Sequence, residues 1–167
     1  MNFRALLACV ALAAVLVSGC ATYQPVPEGY TGPTARITDS GHQESSGKGR
    51  LFYVESIDGN RIRNVRIATA ENSHGQGFRL SIGGARRDVP IQKLRLKLVG
   101  THVTAAPIHE MASRAIGEFF SVEGEIDFTP AAGKSYEVVG ELTKQSASVW
   151  IEDVETKQPV TAKVTAK

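Results

Sequence analysis

Residues that could carry chemistry are few and widely spaced in this chain. The four histidines are His42, His74, His102 and His109. A zinc site needs three or four ligands at short spacings, such as two histidines four apart on one helix face. Because His102 and His109 are separated by seven positions that include Pro107, the spacing predicts no metal site. No nucleotide-binding fingerprint occurs either, so we expect no cofactor.

One loop combines a potential nucleophile with a potential base, in the sequence Asn-Ser-His-Gly-Gln-Gly from position 72 to 77. Catalytic triads assemble in space, and adjacent residues seldom aim both side chains at one substrate. The chain also lacks the Gly-x-Ser-x-Gly elbow of serine hydrolases. We therefore predict no catalytic residue. A weaker hypothesis is a binding site formed by Asn72, Ser73, His74 and Gly75, with Trp150 stacking on a ligand.

Three acidic residues, Glu123, Glu125 and Asp127, alternate with apolar residues or glycine. A glycosidase needs two carboxyl groups at a defined separation inside a cleft. Strict alternation instead places these carboxylates on the outer face of a strand. We expect them to be solvated or to pair with Arg95 and Lys97 on a neighbouring strand.

Charge is distributed unevenly although the net formal charge is only +2. Residues 48–97 contain 11 Lys and Arg against 4 Asp and Glu, whereas residues 110–155 contain 3 against 10. Such asymmetry can mark an interaction face. It also arises when basic and acidic strands pair side by side, which we favour. The near-neutral total gives no reason to expect nucleic acid as a partner.

The alternation of residue types predicts a β-rich domain. Residues 122–128 and 136–142 have the period of two, and the turn residues 129–134 between them predict a hairpin. Residues 51–57 lead into Asp58-Gly59, a pair suited to a two-residue turn, with residues 61–67 as the returning strand and a bulge near Asn64. Further predicted strands are 35–38, 78–82, 94–98, 148–152 and 160–164. Residues 40–47 are predicted to form a mobile loop.

Only residues 108–115 have a plausible helical turn. Eight or nine short strands predict an all-β domain, either a small antiparallel β-sandwich of immunoglobulin or transthyretin-like type or, as the alternative, a small closed β-barrel. Trp150 is expected to fill the core, with its indole N–H bonded near an edge.

The amino terminus has the features of an export signal. Arg4 precedes an apolar run from Ala5 to Val17. Thirteen residues are too few to cross a hydrocarbon core, which needs about 20 in a helix. A positive charge followed by a short apolar run is typical of a signal peptide. Residues 1–19 are therefore predicted to be removed.

The sequence Val17-Ser18-Gly19-Cys20 resembles the lipobox of bacterial lipoproteins. The resemblance implies cleavage between Gly19 and Cys20 and lipidation of Cys20 by diacylglycerol and a fatty acyl group such as palmitate. It also implies an outer-membrane anchor on the periplasmic side, because Ala21 and Thr22 follow the cysteine; a cell-membrane anchor is the alternative. Residues 20–34, rich in proline and glycine, are predicted to form an extended tether, and residues 35–167 the β domain.

A second resemblance is carried by the Asp58-Gly59 turn, by Gly133-Lys134-x-Tyr136 and by residues 149–153. These motifs look like those of uncharacterised Gram-negative lipoproteins with a PEGA or transthyretin-like β-sandwich, over residues 35–164. The resemblance implies a fold and an envelope location, not an activity.

These observations favour a non-enzymatic, membrane-anchored binding or scaffold lipoprotein. Its partners would be the lipid bilayer, through Cys20, and a protein or cell-wall component. One alternative is an inhibitor or immunity lipoprotein that inserts residues 39–49 or 72–77 into a toxin or lysozyme. The other is a cryptic hydrolase of an envelope polymer that uses Ser73 and His74.

Overall fold

The computed structural model describes residues 22–115 and 117–166, without the side chains of Pro107 and His109. The predicted signal peptide, the predicted cleavage site after Gly19 and the predicted lipidation site Cys20 lie outside the described residues. Nine strands and two helices follow in the described chain: β1 (Thr34–Gln43), β2 (Lys48–Ile57), β3 (Asn60–Arg61), α1 (Val65–Ser73), β4 (Arg86–Pro90), β5 (Leu94–Thr104), α2 (Pro107–Ala115), β6 (Ser121–Phe128), β7 (Ser135–Leu142), β8 (Ala147–Asp153) and β9 (Val164–Thr165). Within these ranges neither helix is long and apolar enough to span a membrane.

All nine strands form one sheet that curls into a nearly closed barrel. Its main path runs β6-β5-β2-β1-β7-β8-β9, with β3 paired to β2 and β4 paired to β1. The two ends of the path lie against each other. A Cβ atom added to Gly124 of β6 would lie only 2.7 Å from a Val164 methyl group of β9. The prediction of an all-β domain is confirmed, and its barrel alternative describes the sheet.

The barrel interior is the main apolar core. It is filled by inward-facing side chains of most strands, among them Ile37, Val54, Leu96, Val138 and Ile151, all fully buried. Phe52 lies against two glycines: a Cβ atom at Gly100 would lie 3.0 Å from its ring, and one at Gly140 would lie 2.5 Å from it. Because Gly100 on β5 and Gly140 on β7 have no side chain, an aromatic ring fits inside a narrow barrel.

The predicted hairpin of residues 122–128 and 136–142 is wrong. Both segments are strands, but β6 pairs antiparallel with β5, whereas β7 pairs with β8 and, in parallel, with β1. The parallel pairing also departs from the purely antiparallel sheet that was expected. A period of two determines which face of a strand is buried and leaves its partner undetermined. The connection of residues 129–134 instead carries the chain from β6 to β7, four strands further along the sheet path.

The turn at Asp58-Gly59 is confirmed, because both residues have positive φ, 50° and 80°, and Ile57 pairs with Asn60 across it. The returning strand predicted for residues 61–67 is wrong. Only Asn60–Arg61 pairs, and the helix α1 begins at Val65. Asn64, expected at a bulge, is the N-cap of α1: its side-chain oxygen accepts the Ile67 N–H at 3.2 Å. The N-cap side chain satisfies a backbone N–H group in the first turn of the helix, which otherwise has no acceptor within the helix.

Three further segments differ from expectation. The loop predicted for residues 40–47 is shorter in the structure: β1 continues to Gln43 and pairs with β2 through residues 49–52, and only residues 44–47 lie outside a strand. Residues 78–82 contain no strand, and of residues 160–164 only Val164 belongs to one. The predicted helix at 108–115 is confirmed by α2.

Strand register defines two poles of the barrel. At the first, the entry pole, Thr34 pairs with Pro90, and the Asp58-Gly59 turn closes β2. At the second, the helix pole, Lys48 pairs with Thr104, and α2 follows directly. The ten residues of β1 connect the two poles over an extended length of roughly 33 Å. The chain preceding β1 therefore joins the barrel at the pole opposite to α2.

Candidate functional site

A cleft of about 640 Å³ opens on the outer surface of the barrel towards the helix pole. One wall is α1 and the loop after it, and the other is α2 with the segment leading into β6. The floor is formed by residues of β2 and β5, including Tyr53, Val99 and Thr101. This volume lies within the range of about 300–1,000 Å³ that is usual for ligand sites. We call it the helix cleft.

The α1 wall is fixed by buried contacts with the sheet. Val65, Ala68 and Thr69 face inward, three positions that share one helical face. Val65 joins Leu51, Tyr53 and Val99 in a second apolar cluster on the outer side of the sheet. In the middle of α1, the Thr69 hydroxyl oxygen accepts the Gly83 N–H at 3.0 Å. This wall is rigidly joined to the barrel.

A buried ion pair lies beneath the start of α1. Both oxygens of Asp39 accept hydrogen bonds from the Arg87 guanidinium, at 2.7 and 2.6 Å. The same carboxylate accepts the backbone N–H groups of Val54, at 3.2 Å, and Val65, at 3.0 Å. The two side chains are 0% and 7% exposed. Burial raises the pKa of the Asp39 carboxyl, and the bonds to Arg87 and the two backbone groups oppose that rise.

Tyr53 on the floor and Arg66 on the α1 wall form a polar part of the cleft. Tyr53 is buried on β2, and Arg66 of α1 lies beside it. Burial raises the pKa of Tyr53, while the Arg66 charge lowers it, so the phenol is protonated at neutral pH. Arg66 has no carboxylate partner among the ion pairs of the described residues, from Arg36–Asp88 to Lys157–Glu137. Its positive charge is therefore available to the cleft.

The α2 wall contrasts with this, because its charged groups are already paired. Arg114 donates to Glu110 one turn earlier, at 2.9 and 3.0 Å. The same guanidinium lies 3.9 Å from the ring centroid of Phe119, within cation–π distance. Glu123, on β6 at the edge of the cleft, is bonded to Lys97 at 3.2 Å. Because Lys97 also bonds Glu55 at 2.8 Å, Glu123 is only partly neutralised and this side of the cleft is slightly negative.

His102 joins β5 to the segment after α2. Its Nδ1 accepts the Phe120 N–H at 3.0 Å, so the proton of the neutral ring is assigned to Nε2. Nε2 faces a Glu44 carboxylate oxygen at 3.5 Å. The ring is buried between Phe119 and Phe120, and burial lowers the pKa of His102, against the opposing influence of Glu44. The histidine is therefore neutral at pH 7.

The loop singled out in the sequence lies at the rim of this cleft. Ser73, His74 and Gly75 line it, whereas the backbone oxygen of Asn72 accepts the Gln76 side chain. The Ser73 hydroxyl accepts the Ser81 N–H at 2.9 Å and donates to the Ser81 carbonyl at 3.5 Å. It is used to hold the segment after α1, and no hydrogen bond joins it to His74 within the described residues. The loop therefore forms part of the wall of the helix cleft.

Trp150 does not lie in the helix cleft and does not fill the core. Val149 and Ile151 of β8 face the interior, so the half-buried indole between them lies on the outer face. Its predicted N–H bond is confirmed: it donates to Glu152 at 2.9 Å, and the Lys163 ammonium lies 3.9 Å from the ring centroid. Along the main path of the sheet, β1 and β7 separate β8 from the cleft floor.

The acidic strand pairs as expected with its basic neighbour. Asp127 of β6 contacts Lys93, at 2.9 Å, and Arg95, at 3.8 Å, and Lys97 bonds Glu123. Sheet pairing of β5 with β6 thus accounts for much of the charge asymmetry. Among the described residues, no group of three or more His, Cys, Asp or Glu side chains is arranged to hold a metal ion.

Sequence reasoning missed Tyr53, Arg66 and Arg114 as members of one site. The missed signal was the spacing of Val65, Ala68 and Thr69 after Asn64, an N-cap residue followed by a helical apolar face. Interpreted as a helix, that segment would have placed Arg66 on an exposed face. Nothing in the sequence, however, brings α1 and α2 together across β5.

No family model, no curated protein and no solved structure matches the chain.

Proposed function

We propose that this chain is a lipoprotein of the bacterial envelope, anchored by lipidated Cys20 in the outer membrane, whose barrel presents the helix cleft to a protein or cell-wall partner. The activity is binding and not catalysis. The lipobox-like sequence Val17-Ser18-Gly19-Cys20 supports the anchor. The engaged Ser73 hydroxyl supports a binding role over hydrolysis.

The observation that carries the proposal is the placement of the cleft relative to the chain entry. The chain that follows Cys20 enters the barrel at the entry pole, and the cleft opens towards the helix pole. Residues 21–34 could extend at most about 45 Å. A barrel held at its entry pole would expose α1 and α2 to the compartment and not to the bilayer surface.

The anchor is tested by fractionation of cells that express the full chain or Cys20→Ser. The unchanged chain should sediment with membranes and carry a mass increase at its amino-terminal peptide, because several acyl chains together hold a protein on a bilayer. Cys20→Ser should lose both. A Cys20→Ser chain that still sediments with membranes would overturn the anchor.

The binding role is tested by photo-crosslinking in intact cells. A benzoylphenylalanine at position 74, on the cleft rim, should form one specific adduct. The same probe at position 156, in the exposed turn after β8, is the control and should not form it. Equal adducts from both positions, or none from position 74, would contradict a partner at the cleft.

A further inference from the structure

We propose that the helix cleft binds an acidic peptide segment, with one ligand carboxylate held by Arg66 and an adjacent apolar side chain on the strand floor. This inference rests on the binding role proposed above and names the chemistry of the ligand. It starts from Arg66, which has no carboxylate partner among the ion pairs of the described residues.

The position of Arg66 favours a carboxylate ligand. It lines the cleft beside Tyr53, a residue that is itself 1% exposed, and it forms no ion pair among the described residues. An arginine without a carboxylate partner offers its N–H groups as a planar fork, which matches the two oxygens of a carboxylate.

The charges of the opposite wall limit the ligand to one anion. Glu110 and Glu123 lie along the α2 and β6 side; Arg114 bonds Glu110, whereas Lys97 is shared between Glu123 and Glu55. A ligand with several adjacent charges, such as a polyphosphate, would face these carboxylates. A single carboxylate directed at α1 avoids them.

The floor accounts for the apolar part of the ligand. Val99 and Val103 of β5 and Leu80 of the loop after α1 line the cleft beside the hydroxyl groups of Thr69 and Thr101. An aliphatic side chain would cover the valines, and a peptide N–H would donate to the Thr101 hydroxyl oxygen, whose own hydrogen is bonded to the His102 carbonyl. The Thr69 hydroxyl is buried and already accepts the Gly83 N–H. Apolar lining with a few directed polar groups is the usual composition of a ligand site.

The test is a titration of the full chain in detergent with acetyl-leucyl-glutamyl-leucine amide, followed by amide chemical shifts. Shifts should concentrate on α1, the floor of β5 and the loop at 73–77. The glutamine counterpart of this peptide should bind at least about tenfold more weakly, equivalent to about 1.4 kcal/mol. Equal affinity for the two peptides, or shifts outside the cleft, would overturn the proposal.

Variants of Arg66 distinguish recognition by the planar guanidinium from general attraction to a positive charge. Arg66→Gln and Arg66→Lys should both weaken binding about tenfold, since lysine keeps the charge and loses the planar fork. Arg61→Gln is the matched control: that arginine is 87% exposed, lies outside the cleft and should leave affinity unchanged. Equal losses for Arg61→Gln and Arg66→Gln would contradict a defined site.

Two further measurements distinguish the possible failures. Inorganic phosphate that displaces the peptide at equal concentration would identify a general anion site and overturn the peptide proposal. Cys20→Ser should abolish membrane attachment and leave peptide affinity intact. If the chain attaches to membranes but does not bind the peptide, only this inference is refuted. If it binds the peptide but does not attach to membranes, only the proposed anchor is refuted.

Discussion

The two walls of the helix cleft are helices of nine residues each, yet they are held to the barrel in different ways. The α1 wall has a side-chain N-cap, a buried apolar face and a backbone N–H bonded to the buried Asp39. The α2 wall exposes its large apolar side chains, Ile108 at 67% and Met111 at 71%. Its charged residues bond chiefly to each other and to Phe119.

This contrast indicates which wall can move. Local opening is cheapest where few apolar contacts and few buried hydrogen bonds are lost. We therefore expect α1 to open only with the whole barrel, and α2 to open locally and adjust to a ligand. The predictions below test this difference, beginning with the most strongly held contact.

The largest effect is expected from Asp39→Ala, which removes the acceptor of both Arg87 and the first N–H of α1. An unpaired buried arginine costs about 3–5 kcal/mol of unfolding free energy. Urea denaturation followed by circular dichroism measures this loss. Asp88→Ala is the control, because its pair with Arg36 is about half exposed and should contribute about 0–1 kcal/mol. A small loss for Asp39→Ala would show that α1 is not anchored through this carboxylate.

Asn64→Ala should lower the unfolding free energy by about 1 kcal/mol, the usual effect of removing an N-cap side chain. The Ile67 N–H then loses its acceptor at the start of α1. Amide hydrogen exchange in α1 should accelerate together with that of the barrel strands. Acceleration confined to α1 would contradict the view that this helix opens only with the barrel.

Acidification should loosen the α2 wall through His102. Because the folded pKa of this histidine is lowered by burial, the unfolded chain binds its proton first, so stability falls as pH drops below about 6.5. Protonation of Nδ1 would also break its bond from the Phe120 N–H. Unfolding free energy measured between pH 7.5 and pH 5 should fall less in His102→Gln. The facing groups Glu44 and Lys48 remain in both proteins, and an identical slope would exclude His102 as the cause.

The smallest effect is expected from Met111→Ser, within about 0.5 kcal/mol, because this side chain is mostly in solvent. Val65→Ala, on the buried face of α1, is the matched comparison and should cost more, since it removes buried methyl groups. Denaturation of both variants gives the difference. A loss for Met111→Ser as large as that for Val65→Ala would remove the distinction between the two walls.

Local features of the fold were predictable where one short segment decides them. The turn at Asp58-Gly59 follows from two residues that tolerate positive φ. The alternation in β6 correctly placed Glu123 and Asp127 on the outer face, beside basic residues of β5. The strand predicted around Asn64 is wrong because the spacing of Ile62, Val65 and Ile67 was interpreted as the alternation of a strand. Burial of Val65 against Leu51 and Tyr53 stabilises a helix there instead.

The sequence alone determined the β-rich class and which side of several strands is apolar, because side-chain alternation and turn preferences act over a few residues. Only the tertiary structure decided the partner of each strand and the closure of the barrel. The tertiary structure also decided the cleft. Its two walls are α1, which precedes β4 in the chain, and α2, which follows β5. These features depend on burial summed over distant segments, so a pattern read along one segment cannot determine them.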